Sequence, residues 1–334
     1  MTNKIVIAQP IHADARALLK HHAEVFESPG PEPLSPTDLA KHCSNAHALM
    51  AFMTERIDEA FLAHCPELRI IAGALKGYNN IDIAACSSRG IYVTVVPDLL
   101  TEPTAELALG LMISVARKFG PGDRHVRSGA FEGWRPRFYG GSLVRSTVVM
   151  IGAGAVGCAI MRMLQGFDCT KLYVDKRTLA YDREQDLGCE AANLDDALMR
   201  GDFVVLGLHL TPLNHHYVDR AFIDKMKPGS FLINPARGSL VDERAVIEAL
   251  ESGHLAGYAA DTFEMEDWAL AARPDRIPNG LLTSEKTVLT PHIGSAVTDV
   301  RIAIEVSAAH SINEALAGRM PETAVNKDSL AMIP

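Results

Sequence analysis

A β-branched and apolar run, Thr147-Val148-Val149-Met150-Ile151, leads without a break into Gly152-Ala153-Gly154-Ala155-Val156-Gly157. Few patterns constrain a chain as tightly. The first glycine permits a sharp turn out of a strand. The second lets backbone approach a ligand, and the third lets a helix pack closely on the strand before it. The helix opening at Ala155 and Val156 offers unpaired N–H groups and the positive end of its dipole, which suits a pyrophosphate. A second apolar run, residues 171–174, ends in Asp175, 18 residues past Gly157. A carboxylate there accepts hydrogen bonds from ribose hydroxyls and repels a 2′-phosphate, so NAD is expected ahead of NADP. Lys176 and Arg177 follow directly, and they read equally as cations that soften that discrimination toward NADP and as a solvated basic pair on a loop.

The same alternation runs along the whole chain. Short apolar runs stand at residues 5–7, 48–52, 69–72, 91–95, 147–151, 171–174, 203–206, 230–233, 258–260 and 287–290. Most are separated by segments with helical spacing, such as 101–116 and 243–251. Ser35-Pro36 and Asp242 provide helix starts. Buried strands joined by helices imply parallel sheets. The fold class expected is α/β, with two doubly wound parallel-sheet domains, which 334 residues are enough to build. The proline-rich segment 28–33 reads as a surface loop in the first domain.

Composition removes several function classes. There are 32 Lys+Arg against 41 Asp+Glu, a formal charge of −9, which opposes nucleic acid and anionic membrane partners. With 48% hydrophobic and 22% charged residues the chain is globular rather than disordered. The longest apolar stretch, residues 148–161, is 14 long and holds three glycines, short of the roughly 18–20 that span a bilayer. The N-terminus meets Pro10, His12 and Asp14 too early for a secretory signal. Six scattered cysteines form no CxxC pair, so neither a disulfide framework nor a metal is expected, and a reduced cytoplasmic enzyme is.

Three segments then place polar groups after strands, where open α/β sheets bind ligands. Asn234-Pro235-Ala236-Arg237-Gly238 presents Arg237 as an anion clamp. Asp261-Thr262-Phe263-Glu264-Met265-Glu266 offers carboxylates, and Pro291-His292-Ile293-Gly294-Ser295-Ala296 offers an imidazole. Arg, Glu and His so arranged can bind an anion, orient an imidazole and move a proton. Taken singly, Arg237 reads as a surface ion pair, Glu266 as a solvated carboxylate and His292 as a helix cap. Their joint occurrence after a nucleotide-binding turn favours chemistry.

The order GAGAVG, NPARG, D-x-x-x-x-E and PHIGSA resembles the D-2-hydroxyacid dehydrogenase superfamily over nearly the whole chain. The resemblance implies that Arg237, Glu266 and His292 are catalytic. It implies a substrate domain from residues 1–99 plus 296–334, with the NAD-binding Rossmann domain, 100–295, inserted between. It also implies a homodimer. Cofactor contacts are implied for Lys76, Thr104, Gly152, Gly154, Ala155, Val156, Gly157, Asp175, Leu208, Pro235, Ala236, Arg237, His292 and Gly294, with Asp261 holding the nicotinamide amide.

Within that superfamily, residues 50–53, 74–80, 96–101, 133–140 (GWRPRFYG), 258–268 (YAADTFEMEDW) and 291–297 resemble the phosphite (phosphonate) dehydrogenases. Lys76 is the informative residue, since hydroxyacid dehydrogenases usually carry a small apolar residue there. Phosphite is largely a dianion at neutral pH, whereas a 2-hydroxy acid carries one carboxylate, so a second cation besides Arg237 fits it. The resemblance implies oxidation of phosphite to phosphate. His292 would be the base for the attacking water and Glu266 its orienter. Met53, Trp134, Tyr139, Ser295 and Arg301 would shape the substrate site. Asn79 departs from the aspartate of those enzymes and removes a negative charge near Lys76. Two rival readings share these residues: a glyoxylate or hydroxypyruvate reductase, and an NAD-sensing, corepressor-like binding protein.

Overall fold

The computed structural model describes residues 2–330 apart from 21, 22, 31, 269 and 271. In the proline-rich segment 28–33, Pro29, Glu32 and Pro33 are exposed as a surface loop requires, Ser28 at its start is buried, and Pro31 lies outside the described residues. The chain divides into two units, Met1–Leu100 with Trp268–Ala271 and Ala296–Pro334, and Thr101–Asp267 with Ala272–Ser295. The first unit therefore runs one residue further than residue 99, and it includes a short segment taken from within 100–295.

The first unit holds a parallel sheet of β1 (Asn3–Ile7), β2 (Ala23–Glu27), β3 (Ala48–Ala51), β4 (Ile70–Gly73) and β5 (Tyr92–Thr94). Its strand order is β2-β1-β3-β4-β5. β3 and β4 are buried at every position because helices cover both faces. The long helix Thr298–Leu316 supplies Ile304, Ala308, Ala309, Ile312 and Ala315 to this same core. That apolar face accounts for the return of the C-terminal segment to the first unit.

The second unit holds β6 (Thr147–Ile151), β7 (Thr170–Val174), β8 (Glu190–Ala191), β9 (Phe203–Leu206), β10 (Ser230–Asn234), β11 (Leu255–Ala260) and β12 (Thr287–Leu289). All are parallel, in the order β12-β11-β10-β9-β6-β7-β8. The order reverses at β6, so the chain leaves β6 and β9 in opposite directions and opens a crevice beyond their carboxyl ends. Separate apolar clusters cover the two sheet faces. The two strands that apolar patterning passes over, β2 and β8, lie at sheet edges, where one side needs no apolar partner. No helix among the described residues is long and apolar enough to cross a membrane.

The apolar stretch 148–161 resolves into the end of β6, the glycine turn and the helix Ala155–Met163. Gly152 adopts φ +99, open to glycine and costly for other residues. A Cβ on Gly157 would lie 2.2 Å from the Gly152 carbonyl oxygen, so helix and turn touch backbone to backbone. Gly157→Ala must push them apart. We expect a stability loss of about 1–3 kcal/mol, read by urea denaturation. A loss below about 0.3 kcal/mol would show that the contact is not tight.

Candidate active site

The glycine turn is shaped as a phosphate cradle. Gly154 caps the helix Ala155–Met163 with no side chain satisfying the first-turn N–H groups, and a Cβ on Gly154 would meet nothing within 4 Å. The turn thus presents open backbone at a helix N-terminus, which fits the pyrophosphate of NAD. Asp175, just past β7, fixes the turn from the side. Its Oδ2 accepts from Ala153 N at 2.7 Å and its Oδ1 from Arg177 N at 3.1 Å. Asp175, Lys176 and Arg177 are all exposed. Leu208 closes against the turn, 3.0 Å from where a Cβ on Gly152 would stand.

Arg237 is held by the loop after β10. The Asn234 side chain accepts from Ala236 N at 3.1 Å and donates to the Arg237 carbonyl at 2.8 Å, curling Pro235 and Ala236 into a fixed turn. The guanidinium donates to the Ala236 carbonyl at 2.7 Å. Burial lowers the Arg237 pKa, opposed by the nearby carboxylates of Asp267 and Glu266. A Cβ on Gly238 would sit 1.8 Å from the Phe263 carbonyl carbon, so the Arg237 loop is pressed onto the segment that carries Glu266.

That segment is a short 3-10 turn, Glu264–Glu266. Glu266 Oε1 accepts from Phe263 N at 2.7 Å, and its Oε2 meets His292 Nδ1 at 2.6 Å. With Nδ1 as the donor, Nε2 is left unprotonated as the basic nitrogen. His292 itself is strained, at φ +55. Asp261 holds it there. His292 N donates to the Asp261 carbonyl at 2.8 Å. The Asp261 carboxylate accepts from Thr290 Oγ1 at 2.6 Å, Ile293 N at 2.8 Å and Gly294 N at 2.9 Å. Burial pushes the Asp261 pKa up against those bonds. Thr104 lies beside Gly294, with its Oγ1 3.3 Å from a Cβ built there.

The second unit therefore brings together Arg237, Glu266, His292, Asp261, Thr104 and Gly294. Ser295 continues the same loop, half-buried. Trp134 and Tyr139 belong to this unit as well. They stand on an exposed loop with 79% and 71% of their surface in solvent. His292 is a loop residue, not a helix cap, and neither Arg237 nor Glu266 is a solvated surface charge.

In the first unit, Lys76 lies on the loop after β4, and its Nζ meets Asp98 Oδ1 at 2.7 Å. No pattern in the sequence announces that partner. Met53 follows β3, half-buried, in a loop clasped by buried Asn80, whose Nδ2 donates to the carbonyls of Phe52 at 3.0 Å and Glu55 at 2.7 Å. Arg301, in the helix Thr298–Leu316, lies over the Phe52 ring at 5.9 Å and 3.8 Å from Glu305. Met53 and Arg301 thus share a neighbourhood. Asn79, three residues after Lys76 and next to Asn80, is half-buried.

Comparison with known proteins gives this geometry a family. Residues 109–294 match the D-isomer specific 2-hydroxyacid dehydrogenase, NAD binding domain. A glyoxylate reductase of Pyrococcus furiosus is 35% identical over 98% of this chain and 96% of its own. One from Pyrococcus horikoshii is 36% identical over 98% and 97%. In structure, the TT0316 protein from Thermus thermophilus has a TM-score of 0.87 and 30% identity, covering 96% of this chain and 99% of its own. A nucleotide turn, an anion-holding arginine and a carboxylate-oriented histidine on such a sheet are the parts of an NAD-dependent oxidoreductase, and this chain belongs to the D-isomer specific 2-hydroxyacid dehydrogenase family.

Proposed function

We propose that the protein oxidises phosphite: HPO₃²⁻ + H₂O + NAD⁺ → HPO₄²⁻ + NADH + H⁺. Lys76 carries this reading. It is a cation presented on a strand-end loop, 42% exposed, and among the described residues it has one carboxylate partner, Asp98, itself 66% exposed. So solvated a pair contributes little to stability and exchanges readily for a better anion. Two cations, Lys76 and Arg237, match the charge of a dianion better than that of a monocarboxylate. The segments 133–140 and 258–268 add sequence support.

NAD, held by the Gly152–Gly157 turn and Asp175, would supply the hydride acceptor for the P–H bond. The remaining work belongs to the chain. Arg237 and Lys76 bind the phosphite oxygens and orient the P–H bond. His292 Nε2 takes a proton from the water that attacks phosphorus, and Glu266 stabilises the imidazolium through Nδ1. Asp261 keeps the imidazole in place through the loop backbone. Met53, Trp134, Tyr139, Ser295 and Arg301 complete the substrate site, and the protein acts as a homodimer.

A second reading, reduction of glyoxylate or another 2-oxo acid, is favoured by the names of the relatives. It uses the same Arg237, Glu266 and His292 and gives Lys76 no special part.

Two substitutions test the proposal. Lys76→Ala is expected to lower kcat/KM for phosphite by about 10²–10³ while changing any 2-oxo acid reduction by less than about tenfold. Equal losses for both substrates would remove Lys76 as the discriminating cation. Glu266→Gln keeps an acceptor for Phe263 N but turns an amide N–H₂ toward His292 Nδ1, leaving the proton on Nε2, the wrong nitrogen for a base. We expect kcat to fall by about 10²-fold or more with KM little changed. A kcat within about threefold of wild type would refute the orienting role.

A further inference from the structure

We propose that His215, His216 and Glu264 form a binding site for a divalent transition-metal ion of the zinc class, and that its occupancy slows turnover by acting on the turn that carries Glu266. The reading of the ligands is independent of which substrate the enzyme takes. Each of the three residues offers one ligand atom, and these atoms lie within 4.8 Å of one another. His216 Nε2 lies 2.7 Å and His215 Nε2 3.7 Å from Glu264 Oε1.

Successive residues in a loop ordinarily point apart. Here His216 adopts φ +51, and the two imidazoles stand 3.9 Å apart at 31° on the same side. The loop is fixed rather than loose. Asn214 accepts from Thr211 N at 2.6 Å and donates to the His209 carbonyl at 2.7 Å. His216 N donates to the Ser239 carbonyl at 2.8 Å. On the other side, Glu264 N donates to the buried Glu243 carboxylate at 3.0 Å.

Two imidazoles and one carboxylate suit zinc, nickel or copper, whereas magnesium and calcium prefer oxygen ligands alone. A tetrahedral ion with bonds of about 2.0–2.1 Å holds its ligands roughly 3.3 Å apart. The His216–Glu264 pair must widen and the His215–Glu264 pair contract, each by about half an ångström. Both shifts are within side-chain reach. Solvent supplies the fourth ligand, since His215 and His216 are 37% and 34% exposed at their side chains. Glu264 and Glu266 belong to the same three-residue turn, so drawing Glu264 onto a metal pulls on the residue that orients His292.

The test is calorimetric titration of the full-length protein with Zn²⁺, together with NAD-linked turnover at each zinc concentration. We expect one saturable ion per chain and falling turnover as it binds. His215→Ala and Glu264→Gln should each weaken zinc binding by at least about tenfold, the loss that removal of even an outer-shell partner brings. Turnover of His215→Ala should then be insensitive to zinc that inhibits wild type. Equal zinc affinity in wild type and His215→Ala, or no binding at about 100 µM Zn²⁺, would overturn the site. Binding that leaves wild-type turnover unchanged would overturn the link to Glu266.

Discussion

Asp261 is the residue on which the site depends. Its buried carboxylate ties Thr290, Ile293 and Gly294 into one loop, and its carbonyl takes His292 N. Its own N–H donates to the Asn234 carbonyl at 3.0 Å, joining the loop after β11 to the loop that carries Arg237. One aspartate thus connects the ends of β10, β11 and β12. A backbone at positive φ persists only when its surroundings over-determine it, and here they do. Without Asp261, His292 would have no reason to stay where Glu266 meets it.

Much of the fold is legible in the sequence. The central strands β6, β9 and β10 are continuous apolar runs because helices cover both of their faces, and the glycine turn at Gly152 to Gly157 announces itself by spacing. The edge strands β2 and β8 do not, since Glu24, Glu27 and Glu190 stand where an apolar pattern would be sought. Arg237, Glu266 and His292 could be picked out because each follows a strand. What the sequence could not show was how they are held. The φ of His292, the Gly238 contact with Phe263 and the pairing of Lys76 with Asp98, 22 positions away, are long-range facts without a local signature. The His215–His216–Glu264 group has no local signature either, because His216 and Glu264 are 48 positions apart.

A net charge of −9 first reads as a bar to anionic partners, and it does count against polyanions. Local arrangement is a separate matter. Burial works against the charge of Arg237 while the carboxylates of Asp267 and Glu266 favour it, and the exposed Lys76 pairs with Asp98. Fields of this kind act over short distances and are screened beyond about 10 Å at 0.1 M salt. An acidic exterior is therefore compatible with a small anionic substrate.

The substrate separates the two readings that the catalytic residues share. The direct measurement is the initial rate of the purified protein in two parallel reactions, NAD⁺ with phosphite and NADH with glyoxylate, each followed by NADH absorbance. Our account predicts NADH formation with phosphite at a kcat/KM at least about a hundredfold above that for glyoxylate, the worth of one well-placed charge. Rapid glyoxylate reduction with no NADH formed from phosphite would contradict it and leave the family's 2-oxo acid chemistry in its place.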